Sequence, residues 1–136
     1  MRPRSVPEPG PAAHMFDADR ASRGLGMELL EAASGRAVVT MRIAPAMING
    51  HGIAHGGFVF TLADTAFACA CNTYGPVTVA AGADISFLRP VREGDVLVAI
   101  ASERVITGRS GIYDVTVSRG DDEVVAEFRG RSRTLG

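Results

Sequence analysis

Apolar and polar residues change their spacing twice along this chain. From Arg36 to Ile43 they alternate, with Val39, Met41 and Ile43 on one side and Val38, Thr40 and Arg42 on the other, the pattern of a half-buried strand. Met27–Ala33 reads as a second strand, and Ser34-Gly35 as the tight turn that joins the two into a hairpin. The period is then lost. Pro45–His55 reads as a loop that ends in Gly56-Gly57 and opens into FVFTLADTAFACACNTYGP. That run is apolar on nearly every side, which predicts a buried helix about 25 Å long, stopped by Gly75 and Pro76. Beyond it the period returns to two. Strands are predicted over Val77–Arg89, Asp95–Ile106, Gly111–Ser118 and Glu123–Arg133. Leu97–Ala101 is apolar on both faces, which suits an inner strand covered on both sides.

Ahead of the hairpin, a helix is predicted from Ala12 to about Ser22, ended by Gly24 and Gly26. Residues 1–11, MRPRSVPEPGP, are dominated by proline and charge and read as a flexible arm. Residues 12–136 form a single domain, as 136 residues allow. The layout is α+β: an antiparallel sheet wrapped around one long central helix. One such helix covers a sheet poorly, and a second copy of the subunit is the simplest cover. Val77–Arg89 is the strand chosen to pair across that contact, continuing one sheet into the next.

Composition narrows the partners. The net charge is −1, which gives no general electrostatic case for nucleic acid or an anionic membrane. No apolar run is long enough to span a bilayer, and the first residues lack the apolar core of a secretory signal, so the expected location is the cytoplasm. Cys69 and Cys71 sit two residues apart in the predicted helix and point to different sides, so they read as core thiols rather than a disulfide. His51 and His55 have no carboxylate or thiol cluster beside them, so no metal is expected. A Gly-rich phosphate loop is absent, which removes nucleotide hydrolysis and NAD chemistry.

Asp64 is the residue that asks for an explanation. It lies mid-helix among Phe60, Leu62, Ala63, Ala66 and Phe67. Burying a carboxylate there is costly unless it is paired or used. It is either a base or nucleophile for attack on a thioester, or a structural carboxylate that caps a loop or pairs with an arginine. Gly56 and Gly57 open the same helix, whose first N–H groups lack internal partners and point along a dipole that favours negative charge. Those amides suit an oxyanion, and glycine allows a carbonyl close to the backbone. Yet eight residues along one helix put Gly56 and Asp64 about 12 Å apart, too far to act on one carbon. Two antiparallel helices from two subunits would bring Gly56 of one chain to Asp64 of the other.

The segment NGHGIAHGGFVFTLADTAFACACN, Asn49–Asn72, resembles the signature of the hotdog-fold thioesterases, closest to their phenylacetic-acid-degradation branch, the phenylacetyl-CoA thioesterases. ISFLRP (Ile85–Pro90), GIYDVTV (Gly111–Val117) and FRGRSRTLG (Phe128–Gly136) are similar to the same branch. The resemblance spans roughly residues 20 to 136. It implies a hotdog fold and hydrolysis of acyl-CoA, with phenylacetyl-CoA or a ring-hydroxylated relative as substrate and no separate cofactor. It also implies Asp64 as the catalytic acid group, Gly56 with its neighbour Gly57 at the oxyanion, and paired sites at the interface of a homodimer within a dimer of dimers. Asn49 either orients the attacking water or makes an Asn-Gly turn with Gly50. His55 is read as fixing the loop rather than as the base, since the carboxylate is better placed, and Thr65 either bonds near Asp64 or is a helix-surface hydroxyl. Coenzyme A carries phosphates, so Arg89, Arg109, Arg129 and Arg131 are its candidate contacts. Two other readings remain open. A hotdog hydroxyacyl dehydratase is disfavoured by Gly56-Gly57 following His55. An acyl-CoA-sensing module is disfavoured by the lack of room for a DNA-binding unit.

Overall fold

The structure, a computed structural model, describes residues 10–136. The arm expected over 1–11 lies outside the described residues except for Gly10 and Pro11. Pro11 already opens helix α1 (Pro11–Asp17), at a position where its missing N–H costs nothing. The single helix expected to run to Ser22 is instead two, α1 and α2 (Arg20–Gly24). The break falls at Asp19, whose backbone is extended and whose side chain accepts the Ser22 N–H (2.9 Å). An aspartate that can cap a new helix competes with continuing the old one.

The hairpin forms as expected from β1 (Glu28–Ala33) and β2 (Arg36–Arg42). Ser34 and Gly35 both have positive φ (51° and 80°), the geometry that matches the twist of the flanking strands. A loop with one 3-10 turn at Pro45–Met47 leads to helix α3 (Gly56–Cys71). Then come β3 (Thr78–Phe87), β4 (Val96–Thr107), β5 (Ser110–Arg119) and β6 (Glu123–Thr134). All pairs are antiparallel, and the six strands stand in the order β1-β2-β4-β5-β6-β3. β4, β5 and β6 are joined by hairpins. β3 is not beside β4: it crosses to the far edge and pairs with β6.

Helix α3 stops at Cys71, short of the expected Gly75-Pro76. Asn72 ends it: its Nδ2 donates to Ala68 O and Thr78 O (2.9 Å each), and its Oδ1 accepts the Thr78 N–H (3.0 Å). One buried amide thus closes the helix and starts β3. The expectation of a buried rather than a surface helix holds for most of α3 but not for all of it. Leu62, Ala63, Ala66, Phe67, Cys69 and Ala70 are buried, but Gly57, Thr61, Asp64 and Ala68 are not. These four recur at helical spacing and form one stripe left partly uncovered, with Thr61, Asp64 and Ala68 half-buried. The sheet takes one side of α3, and α1, through Ala12 and Phe16, joins the same core. Cys69 and Cys71 are free and buried, and burial is the first cause that pushes their thiols up, to about 12 and about 11.

The aromatic seat of α3 explains part of the closing motif. Phe67 packs on Tyr113 and Phe128 at centroid distances of 5.6 and 5.8 Å. It also lies directly over Gly130, where a Cβ would meet its ring at 2.7 Å. Only a glycine lets the ring reach β6. Gly130→Val is expected to overpack this contact and destabilise the fold by about 1–3 kcal/mol. Denaturant melts check this; unchanged stability would mean that α3 can shift freely on the sheet.

Leu97, Ala99 and Ala101 of β4 face the core, but the expectation that both faces of this strand are covered holds for one face only, because Val98 and Ile100 are half-buried. At the far edge, Val79 and Phe87 of β3 and the flanking Val77 and Leu88 are 42–62% exposed. An open strand edge carrying apolar side chains is a template for pairing.

Candidate active site

The loop before α3 builds the site. It is pinned by Ala54 N–H to Val91 O (2.6 Å) and by His55 N–H to Met47 O (2.8 Å). Asn49 Oδ1 accepts the N–H groups of His51 (2.9 Å) and Ile53 (3.3 Å), so the Asn-Gly turn exists and employs that oxygen. The Asn49 amide nitrogen makes no hydrogen bond among the described residues. His55 is the N-cap of α3, with Nδ1 3.4 Å from the Gly57 N–H, a long contact. The Gly56 N–H has no acceptor among the described residues. A cleft of about 490 Å³ opens there, lined by Asn49, Gly56, Val59, Phe87, Leu88 and Arg89 among others. Phe87 covers Gly56 so closely that a Cβ there would lie 3.0 Å from its ring. The cleft thus offers apolar walls, a free helix-terminal amide and a carboxamide at one place, as a carbonyl substrate requires.

Asp64 lies two turns further along α3, on the uncovered stripe with Gly57 and Thr61. Its carboxylate makes no hydrogen bond or ion pair among the described residues. Burial first, and the charge of Asp19 second, hold its carboxyl above the usual carboxylate range. The arginine partner of the structural alternative is therefore missing among the described residues. Gly56 and Asp64 are eight residues apart on one unbroken helix, so the separation of about 12 Å stands. The described residues contain no cluster of three or more metal-ligating side chains.

A family profile of the thioesterase superfamily matches residues 51–126. The chain belongs to the thioesterase superfamily. It is 43% identical over 122 residues to the acyl-coenzyme A thioesterase PaaI of Escherichia coli, across 90% of this chain and 87% of that one. The solved structure of E. coli PaaI, from the phenylacetic acid degradation operon, superposes with a TM-score of 0.90 at 42% identity, covering 93% of this chain and 91% of that one. An Asn-to-Asp variant of the phenylacetic acid degradation protein PaaI from Thermus thermophilus superposes at 0.82 with 38% identity, covering 86% of this chain and all of that one. The sheet around α3 is thus a hotdog fold, as its α+β pattern and motifs implied.

Within this thioesterase domain the four candidate arginines fall in three places. Arg89 lines the cleft, close to Glu123 (3.6 Å) and hydrogen-bonded to Val124 O. Arg129 is held by both oxygens of Asp114 (2.7 and 3.0 Å), and Arg131 pairs with Asp84 (2.9 Å). Arg109 sits in the β4–β5 turn, beside a recess lined by Cys71 and Tyr74 at the other end of α3. One protomer brings only Arg129 and Arg131 together, two residues apart on one face of β6 beside Asp84.

Thr65 is buried. It donates to Thr61 O and touches Ser22 Oγ (2.8 Å each), so it faces α2 rather than the uncovered stripe. Ser22, which meets it there, and Asp19, which caps α2, escaped the sequence reading. Their signal was the D-x-x-S spacing of an N-cap. Phe87 and Leu88 belong to the ISFLRP motif, and nothing in their spacing marks them as cleft walls. No helix among the described residues is long and apolar enough to cross a membrane.

Proposed function

We propose that this chain hydrolyses acyl-CoA thioesters to the free acid and CoA, with phenylacetyl-CoA and ring-hydroxylated phenylacetyl-CoA as its substrates. The observation that carries the reading is the apolar cleft that opens onto the free Gly56 amide at the start of α3. The likeness to PaaI supports the acyl group. The thioester carbonyl sits at the amides of Gly56 and Gly57, which hold the oxyanion as the acyl carbon is attacked. Asn49 orients the water or the carbonyl through its free amide, and His55 keeps the loop in place. Asp64 supplies the attack. As a general base it takes a proton from water while the water oxygen bonds to the acyl carbon. As a nucleophile its oxygen bonds first, giving an anhydride that water then opens. In both routes the C–S bond breaks and the CoA thiolate leaves and takes up a proton.

The site is completed by a second subunit. Two β3 edges pair, which covers Val79, Phe87 and their neighbours and lays Asp64 of one α3 against Gly56 of the other. A dimer of dimers, which the family likeness suggests, would cover the half-buried outer residues Val98 and Ile100. The substrate is tested by hydrolysis rates on a panel of aryl-acetyl, straight-chain and short acyl-CoAs. The reading requires the highest kcat/KM on the aryl-acetyl esters, and fails if no acyl-CoA is hydrolysed.

Arg89 is the cleft-lining candidate for the CoA phosphates. Arg89→Ala is expected to raise KM for the CoA ester about tenfold with kcat little changed, because a remote contact binds ground and transition states alike. An acyl thioester that lacks the nucleotide should show no loss. An equal loss on that short substrate would remove Arg89 from phosphate binding.

A further inference from the structure

Gly56 and Gly57 open α3 side by side, but contacts call for glycine at only one of them. Neither has a backbone in the left-handed region. A Cβ on Gly57 would meet nothing closer than His55 Nδ1 at 3.8 Å, an ordinary contact. A Cβ on Gly56 would lie 3.0 Å from Phe87 Cζ and 3.3 and 3.4 Å from its two Cε atoms. Three distances so nearly equal put that point over the face of the ring, because an approach in the ring plane would leave both Cε atoms well behind Cζ. One Gly56 Cα hydrogen therefore points into the Phe87 face. Glycine is less favourable than alanine in a helix, and at Gly56 the ring is the reason for it.

Anchored main chain brings the two residues together. Phe87 is paired opposite Ala126 of β6, and the Leu88 N–H donates to Val125 O (2.8 Å); Val125 and Ala126 are buried. Four residues after Phe87, Val91 O accepts the N–H of Ala54, two residues before Gly56 (2.6 Å). The ring itself is 53% exposed in the single chain, so the core does not require it. Its contribution lies where it touches. A glycine at a helix start has no Cβ to limit its backbone, and the Gly56 N–H has no acceptor among the described residues to hold it. The ring supplies the missing wall, so Gly56 cannot shift toward it without displacing it.

We propose that Phe87 is a positioning residue of the oxyanion amide: its ring, seated on Gly56 Cα, holds the Gly56 N–H at one place in the cleft. This rests on the Gly56 amide serving thioester hydrolysis. A fixed donor costs no reorganisation when charge develops on the carbonyl oxygen, and a small misplacement of it is expensive in rate. Gly56 and Phe87 then act as one unit. The glycine is small so that the ring can reach it, and the ring limits the backbone as a side chain at that position would have done.

Phe87→Leu tests this, because leucine keeps an apolar cleft wall but ends short of the Cζ that meets Gly56. It is expected to lower kcat about tenfold and to raise KM less than about threefold. Phe87→Tyr keeps the ring face and should retain most of kcat. Unchanged kcat in Phe87→Leu, a loss confined to KM, or an equal kcat loss in Phe87→Tyr overturns the proposal. Leucine also leaves room for a Cβ, so the losses of Gly56→Ala and Phe87→Leu should fall short of multiplying when combined; full multiplication overturns it too. Proton NMR reads the contact without substrate and without a variant. One Gly56 Cα hydrogen of the wild-type protein, lying over the ring face, should resonate upfield of the other, and the proposal fails if the two are not displaced in this way. A wild-type protein that hydrolyses no acyl-CoA overturns the thioesterase reading instead, while the NMR signal still decides whether the ring is seated on Gly56.

Discussion

Asp64→Asn is expected to lose about 10²–10⁴ in kcat on every acyl-CoA that the wild-type protein hydrolyses, the range for removing a general base. If the carboxylate forms an anhydride, the loss is larger, and a single turnover in ¹⁸O water places label in Asp64 itself. The same variant should be more stable than the wild type at neutral pH. The sign follows from the direction of the shift: burial and Asp19 hold the Asp64 carboxyl above its ordinary value, so its ionised form is disfavoured in the folded state. A carboxyl raised on folding contributes stability below its unfolded value, and that contribution is lost as pH rises through the folded one. The wild type loses it as Asp64 ionises, whereas asparagine has no charge to lose. Melting curves should therefore favour Asp64→Asn at pH 7 and converge as pH falls below the ordinary carboxylate range. Wild-type activity in the variant would remove Asp64 from the chemistry. A melting difference independent of pH would remove the electrostatic account.

Two inactive proteins are expected to restore each other. Gly56→Ala puts a Cβ against the Phe87 ring and into the path of the substrate carbonyl. Asp64→Asn removes the attacking group. Each homodimer should be nearly inactive. If the site is shared, a heterodimer of the two variants has one site altered twice and one site untouched. Equal amounts, dissociated and re-equilibrated, should form about half heterodimers and recover about one quarter of wild-type activity. The physical ground is the separation along one straight helix, which no side-chain rotamer spans. Absence of recovery despite proven subunit exchange would place both groups in one chain's site, and an active monomer by light scattering would do the same.

The period-two segments around Val39, Tyr113 and Phe128 and the Ser34-Gly35 turn were legible from the residues, because side-chain alternation and positive φ are local properties. So was the chemistry on offer. A carboxylate in an apolar helix and glycines at its start are uncommon enough to read as a site, and the motif around them carried the family. Three features were not legible. The face of α3 that Asp64 occupies could not be read, because a helix apolar on nearly all sides has no pattern to point outwards. Packing by the sheet and by α1 left one stripe open. That β3 stands at an edge agrees with its choice as the strand pairing across subunits, but its neighbour β6 could not be read, since adjacency in sequence favours β4 and the pairing with β6 is made between distant segments. The link from Asp19 through Ser22 to Thr65 joins residues 43 positions apart, and the capping aspartate that broke a helix gave no sign of its second partner. Local preference decides which elements form. Which elements meet, and therefore which charges face each other, is decided by burial over the whole chain.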